Sequence, residues 1–129
     1  MSELSEPCPC GSKRGYGDCC GRYVDGGELP PSAEALMRSR YTAYTLKREP
    51  YLLASWHAGT RPATLDLDAG PPTKWLGLEV KRHQSLDADR AIVEFVARYK
   101  VNGRACRLHE TSRFVREDGR WFYVDGDTG

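Results

Sequence analysis

This chain is poor in the features that most quickly announce an activity. Its 19 basic and 18 acidic side chains leave a formal net charge of only +1, so no global field points to nucleic acid, a membrane surface or an acidic substrate. No apolar run approaches the roughly 18 to 20 residues needed to cross a bilayer. The polar stretch Met1 to Pro7 lacks a cationic start followed by an apolar segment, which argues against a secretory signal. Phosphate-cradling glycine loops, a dinucleotide fingerprint and a Ser-His-Asp order are all missing. With 129 residues there is room for one ordinary domain and a small appendage, not two hydrophobic cores. The expected location is the reducing cytoplasm, where clustered cysteines serve as metal ligands more often than as disulfides.

What the chain does have is a concentration of thiols. Cys8, Cys10, Cys19 and Cys20 fall within its first twenty residues as two close pairs around Gly11, Gly15 and Gly17. Zinc suits such a set, because it is borderline-soft and accepts a closed tetrahedron of four thiolates. Lys13, Arg14 and Arg22 lie in or beside the cluster and lower the cost of deprotonation. Tyr16 is placed to cover one side of the ion. The residues alone leave two other readings open, disulfides across the pairs and free thiols in a disordered tail. Spacing and compartment favour one structural zinc ion per chain, with residues 1–24 as a knuckle and residues 25–31 as a linker rich in glycine and proline.

The remainder, residues 32–129, reads as helices followed by strands. Ser32 occupies an N-cap position with Glu34 in the first turn, and a helix is predicted from there to about Arg48. Its face mixes Leu36, Met37, Arg40 and Tyr44. Pro50 suits the first turn of a second helix, predicted over Tyr51 to Trp56, and a short helix or irregular segment is expected over Ala63 to Pro72. From Trp75 the period becomes two: Leu76, Leu78 and Val80 form one alternating set, and Val93, Phe95, Ala97 and Tyr99 another. Asn102-Gly103 accepts the positive backbone angles of a type I′ hairpin, and Asp118-Gly119 turns the chain again. The expected class is α+β, with the helices covering one face of an antiparallel meander of about four strands.

Two resemblances arise from these residues. The segment Cys8 to Gly21, with Cys-x-Cys, eight residues and then Cys-Cys, closely resembles the SEC-C motif, a zinc-binding element of the SecA translocation ATPase and of many other bacterial proteins. That resemblance implies Cys8, Cys10, Cys19 and Cys20 as the ligands and contact with a protein or ribonucleoprotein as the role. Ala35 to Tyr44, Tyr51-Leu52, Trp56-His57, Trp75 to Leu78, Leu108 to Phe114, Gly119-Arg120-Trp121 and Tyr123 to Gly126 resemble the YchJ-type proteins. These are bacterial proteins of unassigned activity with an N-terminal SEC-C motif and an NTF2-like (cystatin-like) body. A cone of helices on a curved sheet with a pocket is what that resemblance implies; a reaction is not.

Within such a cone the inward strand faces would carry Phe95 and Tyr99, and on the next strand Leu108, Ser112 and Phe114 share parity with Cys106 and Glu110. Glu110 is the outlier, since a carboxylate on an apolar face needs a partner, and Arg38, Arg40 and Arg61 are the candidates. The structural reading, an ion pair tying sheet to helix, is preferred to a general base. The candidate pocket set is Arg40, Tyr44, Trp56, His57, Arg61, Phe95, Tyr99 and Glu110. His57 with Thr60 and Arg61 suits a pocket mouth for an anion, though a C-terminal helix cap is favoured for His57 and a core position for Trp56. His109 has the opposite parity from Glu110, His83 is expected in solvent, and Cys106 is read as a small buried hydrophobe. The leading functional expectation is a zinc-binding adaptor whose body holds a small-molecule ligand or forms a homodimer. The alternative is a small-molecule enzyme around Glu110. Nucleic-acid contact through Lys13, Arg14, Arg22 and Arg38 is disfavoured by the near-zero charge, and no membrane partner is expected.

Overall fold

The computed structural model describes residues 6–65, 67 and 71–128. In chain order they form a 3-10 turn at Tyr16–Asp18, helices α1 (Gly21–Val24), α2 (Ala33–Leu46) and α3 (Glu49–Ala54), and strands β1 (Thr73–Asp87), β2 (Arg90–Val101), β3 (Arg104–Glu117) and β4 (Arg120–Thr128). The strands make one antiparallel sheet in the order β1-β2-β3-β4. The predicted α+β meander is therefore what the chain adopts. Asp66, Asp68 and Gly70, around which a short helix or irregular segment is expected, lie outside the described residues.

Local chemistry sets the helix ends. Ser32 accepts a hydrogen bond from the Ala35 backbone N–H at 3.1 Å, closing the first turn of α2. Lys47 ends that helix in the left-handed region at φ 58°. Helix α3 differs from its prediction, running from Glu49 with Pro50 in its first turn and stopping at Ala54. The reason is tertiary: Ser55 to His57 peel away to pair beside β4, with Tyr123 N–H donating to Ser55 O at 2.9 Å and His57 N–H to Tyr123 O at 2.7 Å.

The β2–β3 hairpin turns on Asn102 at φ 53° and Gly103 at φ 76°, the type I′ geometry that Asn-Gly predicts. Strand β1 departs from simple alternation. Register shifts fall between Trp75 and Gly77, between Val80 and Arg82, and between Ser85 and Asp87. Leu76 is thereby a bulge residue, 46% exposed, instead of a member of the inward set; Trp75, Leu78 and Val80 pack on the core in its place.

One face of the sheet packs under α2. Ala33, Leu36, Met37 and Tyr41 meet Val93, Phe95, Ala97, Phe114 and Trp121 there. Full burial of side chains such as Leu36, Val93 and Phe114 contributes about 1.5–3 kcal/mol each. The other face is charged: Glu94 pairs with His109 at 2.7 Å, and Arg113 reaches Asp125 at 2.5 Å and Asp127 at 2.7 Å. Val96 is nonetheless fully buried on this face. Its cross-strand neighbours Glu79 and His109 flank it on either side.

Candidate metal centre and cavity

A short ladder between Pro7 and Gly15 folds the N-terminal turn back on itself, with Cys8 N–H donating to Arg14 O at 2.9 Å. It brings Cys8 and Cys10 against Cys19 and Cys20, which sit just before α1. The four sulfurs lie within 4.8 Å of one another, and all four residues are buried. All four stand as free cysteines in the structure, not as cross-pair disulfides. Cys10 and Cys19 sulfurs are 3.6 Å apart, and those of Cys19 and Cys20 are 4.0 Å apart. A tetrahedral zinc site with Zn–S bonds of about 2.3 Å has sulfur–sulfur edges of about 3.8 Å. The spacing therefore fits a divalent ion bound by four thiolates.

Two hydroxyls support the sulfurs: Ser12 Oγ lies 3.1 Å from Cys19 Sγ, and Thr42 Oγ1 on α2 lies 3.7 Å from Cys8 Sγ. Sulfurs this close share protons unequally. Cys8 is held low by hydrogen bonds from Cys10 and Cys20, while Cys20 is pushed up by its bonds to Cys10 and Cys8 and then by burial.

The turn is anchored to the body. Arg38 on α2 donates to Cys10 O at 3.0 Å, and Val24, Leu46 and Leu78 pack on the cysteine cluster. Asp25 accepts from Tyr16 at 2.6 Å and from Arg48 at 3.1 Å. The Tyr16 hydrogen bond comes first in holding its carboxyl below the usual range, with Arg48 adding to it. Tyr16 is itself buried, and burial with that hydrogen bond pushes its hydroxyl up.

A cavity of about 280 Å³ opens between α2 and the sheet, at the small end of ordinary ligand sites. Its walls are Met37, Tyr41, Trp75, Phe95, Ala97, Leu108 and Phe114, and its polar groups are Arg40, Tyr44, Glu110, Ser112 and Tyr123. Arg40 is 5% exposed. Its Nη1 donates to Leu52 O at 2.8 Å and Ser55 Oγ at 2.7 Å, and its guanidinium carbon lies 4.9 Å from the Trp56 ring centre and 4.5 Å from that of Tyr123. Burial lowers the Arg40 guanidinium; the surrounding tyrosines and Glu110 oppose that change. Tyr44 and Tyr123 are both raised, in each case chiefly by burial, with Glu110 adding to the effect.

Glu110 Oε2 accepts from Ser112 Oγ at 2.5 Å and from the Tyr123 hydroxyl at 3.4 Å. Beneath it lies Gly126, where a Cβ would overlap the carboxylate. This seat depends on a register shift between Arg113 and Phe114. Without it Asp125 would oppose Ser112; with it Asp125 turns to Arg113 on the outer face and Gly126 opposes Ser112.

Comparison with known proteins places both halves. Residues 32–126 match the family model "YchJ, middle NTF2-like domain", and residues 5–22 match the SEC-C motif. The chain belongs to the YchJ family. A UPF0225 protein from Polaromonas naphthalenivorans is 54% identical, over 96% of this chain and 98% of that one. Another, from Methylibium petroleiphilum, is 59% identical over 94% and 88%. Among solved structures, a SEC-C motif containing protein from Rhodopseudomonas palustris aligns with TM-score 0.85 at 34% identity, over 96% of this chain and 99% of that one. One from Psychrobacter arcticus aligns at TM-score 0.82 and 29% identity, over 100% and 86%.

Within this NTF2-like body the structure gathers only part of the expected pocket. Arg40, Tyr44, Phe95 and Glu110 line the cavity. Tyr99 packs on Trp75 with ring centres 5.4 Å apart and lies outside the lining. Arg61 is exposed and donates to Trp56 O at 2.9 Å, so it partners neither Glu110 nor the cavity. His57 is not a helix cap: it meets Glu117 at 2.9 Å and accepts from Gly59 N–H at 3.0 Å. Trp56 is half-buried against Tyr123 and Arg40, and its Nε1 is a buried polar atom without a partner among the described residues.

The ion pair expected for Glu110 is replaced by hydroxyls, because Arg38 is held by Glu34 and Cys10 O, and Arg40 by Leu52 and Ser55. Cys106 is half-buried near the hairpin end, not in the core. His83 sits near Glu34, 3.6 Å from its carboxylate, on an exposed stretch of β1. The sequence pattern marks Ser112 as inward but does not assign it to Glu110, and it misses Tyr123 and Gly126. Shared parity with Glu110 is the available signal for Ser112, and alternation with buried Trp121 is the one for Tyr123; the register shift hides Gly126.

Proposed function

We propose that this YchJ-family chain is a zinc-binding adaptor, with a structural zinc ion in the SEC-C turn and a small ligand held in the NTF2-like body. The observation that carries the zinc assignment is the convergence of four buried free cysteines whose sulfurs lie within 4.8 Å of one another. Cys8, Cys10, Cys19 and Cys20 would fill all four positions, leaving none for substrate, so the ion would staple the turn without activating a reactant. Free thiols suit a reducing cytoplasm, and none of the described helices is long and apolar enough to cross a membrane.

The adaptor role rests on what the turn leaves outside. Arg22 and Arg38 are engaged internally, by Cys19 O and Tyr23 and by Glu34 and Cys10 O. Lys13 and Arg14 remain exposed, which is a small cationic patch suited to an acidic face of a protein or ribonucleoprotein and too few charges for strong binding to free nucleic acid. Homodimerisation belongs to the same proposal: β1 is an edge strand with exposed Leu76 and Leu86. The enzyme alternative is supported by Glu110, whose Oε1 has no partner among the described residues.

Affinity capture with the zinc-loaded protein tests the role, comparing intact chain, a Cys19→Ser/Cys20→Ser variant and a Lys13→Glu/Arg14→Glu variant that keeps its zinc. One partner retained by the first and lost by both others is the expected result. Equal retention by all three would overturn the adaptor reading.

A further inference from the structure

Arg40 and Glu110 bring opposite charges to one cavity without pairing. Arg40 spends both hydrogen bonds through Nη1, on Leu52 O and Ser55 Oγ, and makes no ion pair with a carboxylate among the described residues. Tyr44 lines the same cavity as Arg40. Glu110 uses Oε2 for Ser112 and Tyr123, and its Oε1 accepts nothing among the described residues. Both groups are locked, one between aromatic rings and backbone, the other over Gly126. The remaining walls are apolar and largely aromatic.

A fixed donor and a fixed acceptor of opposite charge select a ligand with the complementary pair. An anion would satisfy Arg40 but meet Glu110 in a low-dielectric site; a cation would do the reverse. A purely apolar molecule would leave both polar groups unpaired and dry. We propose that the cavity binds a neutral, ring-sized molecule bearing an amide edge, a carboxamide, lactam or ureide. Its carbonyl accepts from Arg40, its N–H donates to Glu110, and its ring lies among Trp75, Phe95, Leu108 and Phe114. The cavity volume of about 280 Å³ limits the ligand to roughly one or two small rings. This assignment rests on the ligand-holding reading of the NTF2-like body.

Three probes of one shape separate the possibilities: benzamide, benzoate and benzamidine, titrated into the zinc-loaded full chain while backbone amides are followed by NMR. The expected result is that benzamide shifts the amides of Ala97, Leu108 and Ser112 and binds about tenfold or more tighter than either charged probe. Glu110→Gln, which keeps the shape and removes the negative charge, should move the preference toward benzoate. Equal or tighter binding of a charged probe by the unmodified chain would overturn the amide-edge assignment while leaving a ligand cavity. If none of the three perturbs those amides at millimolar concentration, the ligand-holding reading fails and takes this inference with it.

Discussion

The Glu110 carboxylate occupies the space that a side chain at position 126 would need, so Gly126 is the floor on which the only carboxylate lining the described cavity rests. Gly126→Ala should therefore displace that carboxylate from Ser112 and destabilise the chain by about 1–3 kcal/mol, as overpacking does. The diagnostic is the double variant with Glu110→Ala, where most of the loss should return. Additive losses in urea unfolding would show that the two positions do not share this space.

Arg40 joins α2 to the end of α3 through Leu52 O and Ser55 Oγ. Burying a guanidinium is costly, but hydrogen bonds from a charged donor contribute about 1.5–3 kcal/mol each, so Arg40→Met is expected to lose about 2 kcal/mol net. Arg40→Lys should lose less, since an ammonium can keep one of the two bonds. A lowered urea midpoint at unchanged slope would identify this as loss of stability; a midpoint unchanged in the Met variant would contradict it.

The cysteine cluster and the body form two separate buried groups that share Leu78 as a flanking residue. Chelation should thus release about one zinc per chain, free Tyr16 and α1, and leave the sheet folded. Amide-resolved NMR would show Val93 and Phe114 unmoved while the Tyr16 and Asp25 signals collapse to random-coil positions. Global unfolding on chelation would mean that the turn is integral to the body.

Alkaline pH reads the helical layer. Burial raises Tyr51 from an ordinary value of 10.0 to about 12, with its bond to Ser39 opposing the change. The unfolded chain therefore releases this proton first. Stability is complete below pH 10 and falls as pH rises toward 12. Tyr51→Phe, which gives up the 2.6 Å contact to Ser39, should lower the melting temperature at neutral pH and flatten its decline between those limits. Tyr44 and Tyr123 are raised as well, so part of the slope will remain. An unchanged slope in the Phe variant would refute this account of Tyr51.

The features legible in the amino-acid sequence are those whose causes are local. Ser32 caps α2 because the hydroxyl is three residues from the N–H it accepts, and Asn102-Gly103 turns because the two positive φ values it needs are cheap for that pair. Parity along β3 puts Glu110 on the face of Ser112 and Phe114 for the same reason. Expectation and structure part where one residue's fate depends on another strand. Leu76 points outward because of a bulge against Tyr99 and Arg98, and Arg61 turns to Trp56 O because Ser55 to His57 pair beside β4.

The sequence by itself determined the thiol set and the strand order. The four ligand candidates lie within thirteen residues, and each hairpin connects neighbouring strands through a two-residue turn. Only the tertiary structure decided what surrounds Glu110. One extra residue in β4, invisible to a period of two, sends Asp125 to Arg113 and seats Gly126 under the carboxylate. The length of side chain that fits against a buried group is set by the strand across from it, and no pattern along one strand records that distance.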